Sequence, residues 1–275
     1  MSEPSRPIGV FDSGMGGLTV MRALTARLPH ESFIYLGDTA RLPYGTKSGE
    51  TVVRYAVQAA GALMRRGVKL VVVACNTASA VALPALEAML APIPVIGVVE
   101  PGAEAAVAAA PSGPIAVIAT EGTVKGGAYA RAIHTRGPGI HVLQQACPLF
   151  VPIAEEGLID SPITQLTAEH YLGELFANAA ERPRVLVLGC THFPVLKDAI
   201  VRVAGPDVIL VDSAATTADA VANLLLEKRL ARESPGAPSH EFLATDSVER
   251  FARVGRIFLG YAPNAVKLID LQAAG

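Results

Sequence analysis

The chain has 275 residues, which is enough for one large or two medium α/β domains with a buried core. Its net charge is only −2 and its basic residues are scattered, so the charge excludes electrostatic binding of nucleic acid or of a membrane surface as the basis of function. No segment has the length and apolarity of a membrane span. The first residues, MSEPSRP, lack the features of a signal peptide, which predicts a cytoplasmic protein.

The chain begins with a predicted strand, Pro7–Phe11, followed by the glycine-rich turn DSGMGG and a helix. Gly14 and Gly16 begin a dinucleotide-binding fingerprint, but Thr19 stands where the third glycine would be. We therefore interpret the glycines as a tight turn with close backbone approach, and no nicotinamide cofactor is expected.

A second strand, Ser32–Leu36, leads into the loop GDTARLPYG, which ends at Gly45. A loop of this length at a sheet edge is predicted to contribute to a site. An amphipathic helix, Gly49–Arg66, and a strand, Leu70–Ala74, follow. The strand is a continuous apolar run without alternation, which is typical of a strand buried on both faces in a parallel sheet.

Cys75 follows this buried strand directly and precedes a helical pattern that runs through Leu90. That position predicts a thiol at the carboxyl edge of the sheet, where open α/β folds bind ligands. The amino end of the helix favours an anion there, including a thiolate.

A short strand is predicted at Val95–Val99, followed by a break at Glu100-Pro101-Gly102 and a helix at Ala103–Ala110. The sequence then repeats its earlier layout. Ile115–Ile118 echoes the first strand, and Arg184–Pro194, with the sequence RVLVLGCTHFP, echoes the strand that ends at the first thiol. The remaining predicted elements are the strands Ile140–Gln145, Val208–Val211, Glu241–Ala244 and Val266–Ile269 and the helices Ala214–Arg229 and Val248–Leu259.

The repeat predicts an α/β protein made of two pseudo-symmetric, doubly wound parallel-sheet domains with the active site between them. We expect a discontinuous first domain, residues 1–98 plus 211–275, and a second domain, residues 99–210. Each domain would offer one thiol at its sheet edge, Cys75 in the first and Cys190 in the second.

Two such thiols are compatible with several kinds of site. Three widely spaced cysteines favour free thiols over disulfides. A zinc site is disfavoured because Cys190-x-His192 is not a CxxC-type pair. A cysteine hydrolase would leave one thiol idle, and a two-lobed binding protein would need neither. Taken singly, each cysteine is most simply a small buried apolar side chain, but its recurrence at the end of equivalent strands favours a shared function.

The remaining interpretation is two-base proton transfer, in which one group removes a proton from a carbon while another returns one to the opposite face. Thiols suit both roles because a modest pKa shift makes either protonation state available near neutrality. Asp12, Glu155 and His192 are the candidate proton partners of the thiols. Donors for an anionic carboxylate near helix amino ends come from Asn76, Thr77 and Thr191.

Seven motifs spread over nearly the whole chain resemble those of the glutamate racemases, in the cofactor-independent aspartate/glutamate racemase family. They are FDSGMGGLTV (Phe11–Val20), GDTARLPYG (Gly37–Gly45), ACNTAS (Ala74–Ser79), GVVEPGA (Gly97–Ala103), ACPLFVPIAEEG (Ala146–Gly157), GCTHFP (Gly189–Pro194) and VDSA (Val211–Ala214).

The resemblance implies interconversion of L- and D-glutamate for peptidoglycan synthesis, without pyridoxal phosphate, another cofactor or a metal, in a homodimer. It implies that Cys75, assisted by Asp12, deprotonates D-glutamate, and that Cys190, assisted by Glu155 and His192, deprotonates L-glutamate. The substrate-binding residues that it implies are Asp12, Ser13, Pro43, Tyr44, Gly45, Asn76, Thr77, Thr120, Thr123, Thr191 and His192. A racemase of aspartate or another small acid, or a non-catalytic two-lobed binding protein, remains the alternative.

Overall fold

A computed structural model describes residues 3–178, 182–232 and 237–271 of the chain. The strands are β1 (Ile8–Asp12), β2 (Phe33–Gly37), β3 (Leu70–Val73), β4 (Val95–Gly97), β5 (Ile115–Ala119), β6 (Val142–Ala146), β7 (Val185–Gly189), β8 (Ile209–Asp212), β9 (His240–Ala244) and β10 (Lys267–Leu268). The helices are α1 (Leu18–Arg27), α2 (Gly49–Met64), α3 (Asn76–Leu90), α4 (Val99–Ala109), α5 (Glu121–Gly126), α6 (Ala128–Arg136), α7 (Phe150–Glu155), α8 (Pro162–Ala177), α9 (Lys197–Ala204), α10 (Ser213–Glu227) and α11 (Val248–Leu259).

The strands form two parallel sheets. The first has the order β10-β9-β2-β1-β3-β4 and the second the order β6-β5-β7-β8. The arrangement β2-β1-β3-β4 is therefore repeated strand for strand in the second sheet, with β5 equivalent to β1 and β7 equivalent to β3. This repeat confirms the predicted α/β fold with two pseudo-symmetric parallel sheets.

The central strands of both sheets are completely buried. Every residue of β1, β3, β5 and β7 is buried, because helices cover both faces of each sheet. This burial explains the uninterrupted apolar runs in the sequence. α2 and α3 pack together beside the first sheet, while α1 packs on α10 and joins a core cluster that contains residues of both sheets. The two halves consequently share one core on this side.

The predicted elements around residue 100 are wrong. β4 ends at Gly97, and α4 begins at Val99, so that Pro101 lies inside the first turn of a helix. The amide groups of a first helical turn have no intrahelical acceptor, and proline is tolerated there because it removes no hydrogen bond. The Glu-Pro-Gly stretch is therefore a helix start and not a break. The other predicted elements that lie within the described residues differ from the observed ones by one or two residues at their ends.

The tail of the chain returns to the first sheet, where β9 pairs with β2 and β10 pairs with β9. β8 pairs with β7 in the second sheet, and the predicted domain boundary at residue 210 falls inside it. The residue limits of the two domains stay a prediction. Across the described ranges, no helix is both long and apolar enough to cross a membrane.

Candidate active site

The candidate site lies at the carboxyl ends of the central strands, between the two sheets. In the first sheet this position is a topological switch point, because β2 and β3 flank β1 on opposite sides. A cavity of about 40 Å³ lies there. It is lined by Ser13, Pro43, Tyr44, Gly45, Cys75, Asn76, Thr77, Thr120, Val151, Cys190, Thr191 and His192. Both thiols of the sequence repeat therefore face one cavity.

Cys75 is the N-cap residue of α3. Its Sγ accepts a hydrogen bond from the Ala78 amide at 3.5 Å and donates to Ser13 Oγ at 3.5 Å. Burial, followed by the negative charge of Asp12, raises the pKa of the Cys75 thiol to about 12. These effects outweigh the Ser13 hydroxyl and the Ala78 amide, each of which would lower the pKa by donating a hydrogen bond to the thiolate. Cys75 is consequently a protonated thiol at neutral pH and is prepared to donate a proton.

Asp12 ends β1 and is buried behind Cys75. Its Oδ2 accepts a hydrogen bond from the Gly14 amide at 2.9 Å. Burial raises the pKa of Asp12, although the charge of His192 and the amides of the glycine turn oppose the shift. Its Oδ1 is buried and has no hydrogen-bond partner within the described ranges. Asp12 thus keeps one oxygen available to accept a hydrogen bond or a proton.

Cys190 follows β7 and is the first member of a chain of polar contacts. Its Sγ lies 3.7 Å from His192 Nδ1, and His192 Nε2 lies 3.1 Å from Glu155 Oε1. Burial would lower the pKa of His192, but the hydrogen bonds and negative charges of Cys190 and Glu155 outweigh it and raise the pKa to about 10. His192 is therefore a cation at neutral pH, held between a sulfur atom and a carboxylate.

Glu155 remains ionised despite its burial. Burial alone would raise its pKa, but hydrogen bonds and charges from His192 and Arg250 lower it below the usual value. Arg250 donates to Glu155 Oε2 at 2.8 Å. The neighbouring Glu156 is exposed, as expected for a carboxylate at a helix end. One member of the Glu155-Glu156 pair thus faces the site and the other faces solvent.

Three hydroxyl groups form a triangle where the two halves of the molecule meet. Thr77 Oγ1 lies 3.1 Å from Thr120 Oγ1 and 3.3 Å from Thr123 Oγ1, and the last two atoms are 3.1 Å apart. Gly45 packs against the Thr120 side chain. Since Thr77 begins α3 and the other two threonines lie at α5, the triangle offers hydroxyls from both halves.

The loop before α2 is held from behind by a buried carboxylate. The Tyr44 hydroxyl donates to Asp38 Oδ2, and Asp38 also accepts from Arg41 Nε at 2.7 Å and from Thr245 Oγ1 at 3.0 Å. Burial and the adjacent Asp38 charge raise the pKa of Tyr44 far above its usual value. Because its hydroxyl is engaged with Asp38, Tyr44 lines the cavity with its other atoms.

Asn76 places a free amide group next to the cavity. Tyr129 donates a hydrogen bond to its Oδ1 at 2.7 Å, whereas its Nδ2 is buried and has no partner in the described part of the chain. An amide nitrogen can only donate, so Nδ2 is suited to an anionic acceptor such as a carboxylate. Tyr129 belongs to α6, in the second half, and was not predicted as a site residue.

The glycine turn after β1 makes room for the polar groups of the site. A Cβ atom on Gly16 would lie 2.4 Å from two ring atoms of His192, and one on Gly17 would lie 2.5 Å from Asp12 Cβ. Thr19, in the helix that follows, donates to the Thr191 carbonyl at 3.0 Å. The predicted close approach of the backbone is therefore an approach to the candidate catalytic side chains.

The structure brings the predicted site residues together. Most of them line the cavity, and Asp12, Glu155 and Thr123 stand directly behind residues that do. Val151 also lines the cavity and is not among the predicted site residues, although it lies in the motif ACPLFVPIAEEG. An adjoining cavity of about 170 Å³ shares Pro43, Gly45, Thr120 and Val151 with the first. Val151 thus lies between the two spaces.

The chain is similar to known racemases over most of its length. Residues 8–221 match the family described as Asp/Glu/Hydantoin racemase. The chain is 49% identical over 270 residues to a glutamate racemase of Geobacter metallireducens, covering 98% of each chain.

Two solved structures have the same fold over their whole length. The glutamate racemase of Francisella tularensis subsp. tularensis SCHU S4, in complex with D-glutamate, superposes with a TM-score of 0.91 at 37% identity, covering 98% of this chain and 100% of that one. The glutamate racemase of Thermus thermophilus, in complex with beta-chloro-D-alanine, superposes with a TM-score of 0.87 at 46% identity, covering 98% of each chain.

Proposed function

The chain belongs to the Asp/Glu/hydantoin racemase family, and on this premise we propose that it interconverts L- and D-glutamate by proton transfer between two thiols. One thiolate takes the α-proton as a new S–H bond forms, and the C–H electron pair stays on the α-carbon. The opposing thiol then gives its proton to the other face of that carbon, which inverts the configuration and leaves the second sulfur as a thiolate.

The observation that carries this proposal is the equivalence of Cys75 and Cys190. Each thiol follows the equivalent strand of its own sheet, and both line one cavity. A hydrolase or a binding protein has no use for a second thiol in that position, whereas two-sided proton transfer requires one acid and one base.

The two thiols have partners of opposite charge, which assigns their roles. Cys75 lies beside the Asp12 carboxyl and is protonated, while the Cys190 sulfur lies 3.7 Å from Nδ1 of cationic His192 and is assigned the role of the base. This arrangement is ready for L-glutamate, with Cys190 as the base and Cys75 as the acid. The reverse reaction starts from D-glutamate with the two protonation states exchanged, and Asp12 and the His192–Glu155 pair return the protons to their first positions.

The substrate's carboxylates are assigned to the donors around the cavity. Asn76 Nδ2, the hydroxyl triangle and the polar groups of Ser13 and Thr191 are the donors closest to the thiols. Asp12 is assigned the ammonium group, because it is the buried carboxylate at that end of the site. Each group of the amino acid thus meets an opposite charge or a donor.

An isotope experiment tests the reaction, the substrate and the mechanism together. The protein is incubated with each glutamate enantiomer in deuterated water without added cofactor, and optical rotation and α-deuterium content are followed. We expect the optical rotation to decay to zero from either enantiomer and deuterium to appear at the α-carbon of the product. Cys75→Ala and Cys190→Ala should each reduce racemisation to background. Full activity of either variant, or a strong preference for aspartate over glutamate, would overturn the proposal.

The family resemblance also supports a cellular role. We propose that the D-glutamate formed is used for peptidoglycan synthesis, in the cytoplasm, by a homodimer. Expression in a bacterial strain that requires D-glutamate should restore growth without the supplement, and the Cys75→Ala variant should not. Light scattering during gel filtration tests the assembly, and a single peak at the mass of one chain would contradict the dimer.

A further inference from the structure

We propose that Arg250 is a positioning residue of the reaction, which keeps Glu155 ionised and aligned so that Glu155 can support the His192–Cys190 pair. Arg250 lies on α11, and no motif of the sequence connects it with the thiols. The inference rests on the proposed two-thiol function and adds one residue to it.

A continuous line of polar contacts ends at Arg250. It runs from Cys190 Sγ to His192 Nδ1 at 3.7 Å, from His192 Nε2 to Glu155 Oε1 at 3.1 Å, and from Glu155 Oε2 to Arg250 at 2.8 Å. Both carboxylate oxygens of Glu155 are therefore occupied by cations. A carboxylate held at both oxygens has a defined orientation, and Oε1 is directed at the imidazole.

The helix that carries Arg250, α11, packs against the site. Its apolar face buries Phe251, Val254 and Phe258. The Phe258 ring lies edge-on to the His192 ring with centroids 5.0 Å apart, and Phe251 packs in the same manner on Tyr35. The helix is thus anchored beside His192, and Arg250 projects from its first turn onto Glu155.

Glu155 is flanked by two positively charged side chains. The groups that contact Glu155 are His192 from the loop after β7 and Arg250 from α11, and the exposed Glu156 lies 3.9 Å from Arg250. Asp12 and Cys190 influence Glu155 only through His192. Arg250 is the one of these groups whose positive charge does not depend on pH. It consequently favours ionised Glu155 even where His192 loses its charge.

Arg250 does not reach the reacting atoms, and its side chain is 42% exposed. Its effect on the reaction therefore passes through Glu155 and His192. A residue that only stabilised the fold would lower activity by the same factor at every pH. A residue that sets the ionisation of Glu155 moves the acid side of the pH profile instead.

The test compares Arg250→Gln, Arg250→Lys and the control Arg253→Gln, which removes an exposed arginine from the same helix. The pH profile of kcat/KM is measured for each. We expect the acid limb of Arg250→Gln to move upward by about one pH unit, since an adjacent opposite charge lowers a carboxyl pKa by roughly that amount or more. Arg250→Lys keeps the positive charge, so its acid limb should lie close to that of the unmodified protein. Arg253→Gln should match the unmodified protein. An unmoved limb in Arg250→Gln, or an equal shift in the control, would overturn the proposal.

A second measurement does not require racemase activity. Cys75 and Cys190 are equally buried, each 5% exposed, so their alkylation by iodoacetamide can be compared within one molecule by peptide mass spectrometry. Alkylation follows the thiolate. As the pH is lowered, alkylation of Cys190 should begin to fall at a higher pH in Arg250→Gln than in the unmodified protein. The pH dependence of Cys75 alkylation should be the same in both proteins. An identical pH dependence of Cys190 in both proteins would refute the role of Arg250.

The two readouts separate this inference from the proposed function. If the unmodified protein does not racemise glutamate, the proposed function fails, but Cys190 alkylation still decides whether Arg250 acts on the thiol. If Arg250→Gln does not fold, the unmodified protein at high salt replaces it. Salt screens a partly exposed charge, so it should move the Cys190 profile in the same direction, and the absence of any movement would count against the role of Arg250.

Discussion

The Tyr129 hydroxyl donates a 2.7 Å hydrogen bond to Asn76 Oδ1, and this bond joins the two halves of the molecule at the candidate active site. It fixes the amide of Asn76 so that Oδ1 faces Tyr129 and Nδ2 is left to donate elsewhere. A side chain of the second half therefore orients a candidate substrate-binding group of the first half.

Replacing Tyr129 by phenylalanine should weaken substrate binding. The amide of Asn76 would lose the contact that fixes its orientation, and a lost hydrogen bond of this kind costs about 1 kcal/mol. We expect KM to rise about fivefold for both enantiomers with little change in kcat. Steady-state kinetics in both directions provide the measurement, and Tyr261→Phe, which alters an exposed tyrosine, is the control. Unchanged KM values would show that Tyr129 does not orient Asn76.

Replacing Gly16 by alanine should displace His192. The new Cβ would lie 2.4 Å from Nδ1 and Cε1 of the imidazole, a separation at which one of the two must move. A shift of about 1 Å in a catalytic group costs about a hundredfold in rate, and we expect kcat to fall by that factor. Gly173→Ala, on α8, is a suitable control because a Cβ there meets nothing within 4 Å. A fully active Gly16→Ala variant would contradict the close approach.

Replacing Asp38 by asparagine should loosen the substrate loop. Asp38 is fully buried and accepts hydrogen bonds from Tyr44, Arg41 and Thr245. Removing one partner of a buried ion pair costs roughly 3–5 kcal/mol, and the partial exposure of Arg41 places this case at the lower end. Thr245→Val removes two neutral-donor hydrogen bonds, the one donated to Asp38 and the one accepted from the Ala40 amide, and should cost less, about 1 kcal/mol for each bond. Urea denaturation measures both, and similar losses for the two variants would argue against the ion pair.

The stability of the protein should fall in alkaline solution because of His192. Its pKa is raised from 6.5 to about 10 on folding, so the folded state holds the proton more tightly than the unfolded state. The resulting stabilisation is fully present below pH 6.5 and is lost as the pH rises through about 10. Denaturation at several pH values should therefore show a smaller difference between the protein and His192→Asn at pH 10 than at pH 6. A constant difference would mean that His192 is not held as a cation.

The parts of the site that could be predicted are those that a local sequence pattern indicates. Cys75 and Cys190 each end an uninterrupted apolar run, and such runs reveal buried strands and hence the sheet edge. The parts that could not be predicted depend on tertiary packing. Tyr129 and Arg250 reach the site because α6 and α11 dock beside it, and neither lies in a strand-end motif.

The predicted break at Glu100-Pro101-Gly102 is wrong for a physical reason. Pro101 and Gly102 are typical of a chain break, but in the first turn of α4 the proline removes no hydrogen bond. Gly102 there packs against the Tyr129 ring, which is a contact that no local pattern reveals. Proline and glycine thus fit either a chain break or the first turn of a helix, and the packing of the neighbouring helix decides between them.

The space between the two thiols, about 40 Å³, is far smaller than the several hundred Å³ typical of ligand pockets. An amino acid with a five-carbon chain does not pass into it unless the walls move apart. We therefore expect each catalytic cycle to include a step of opening and reclosing, in addition to the chemistry. Where such a step limits turnover, a viscous solvent slows the enzyme even though the proton transfers themselves are untouched.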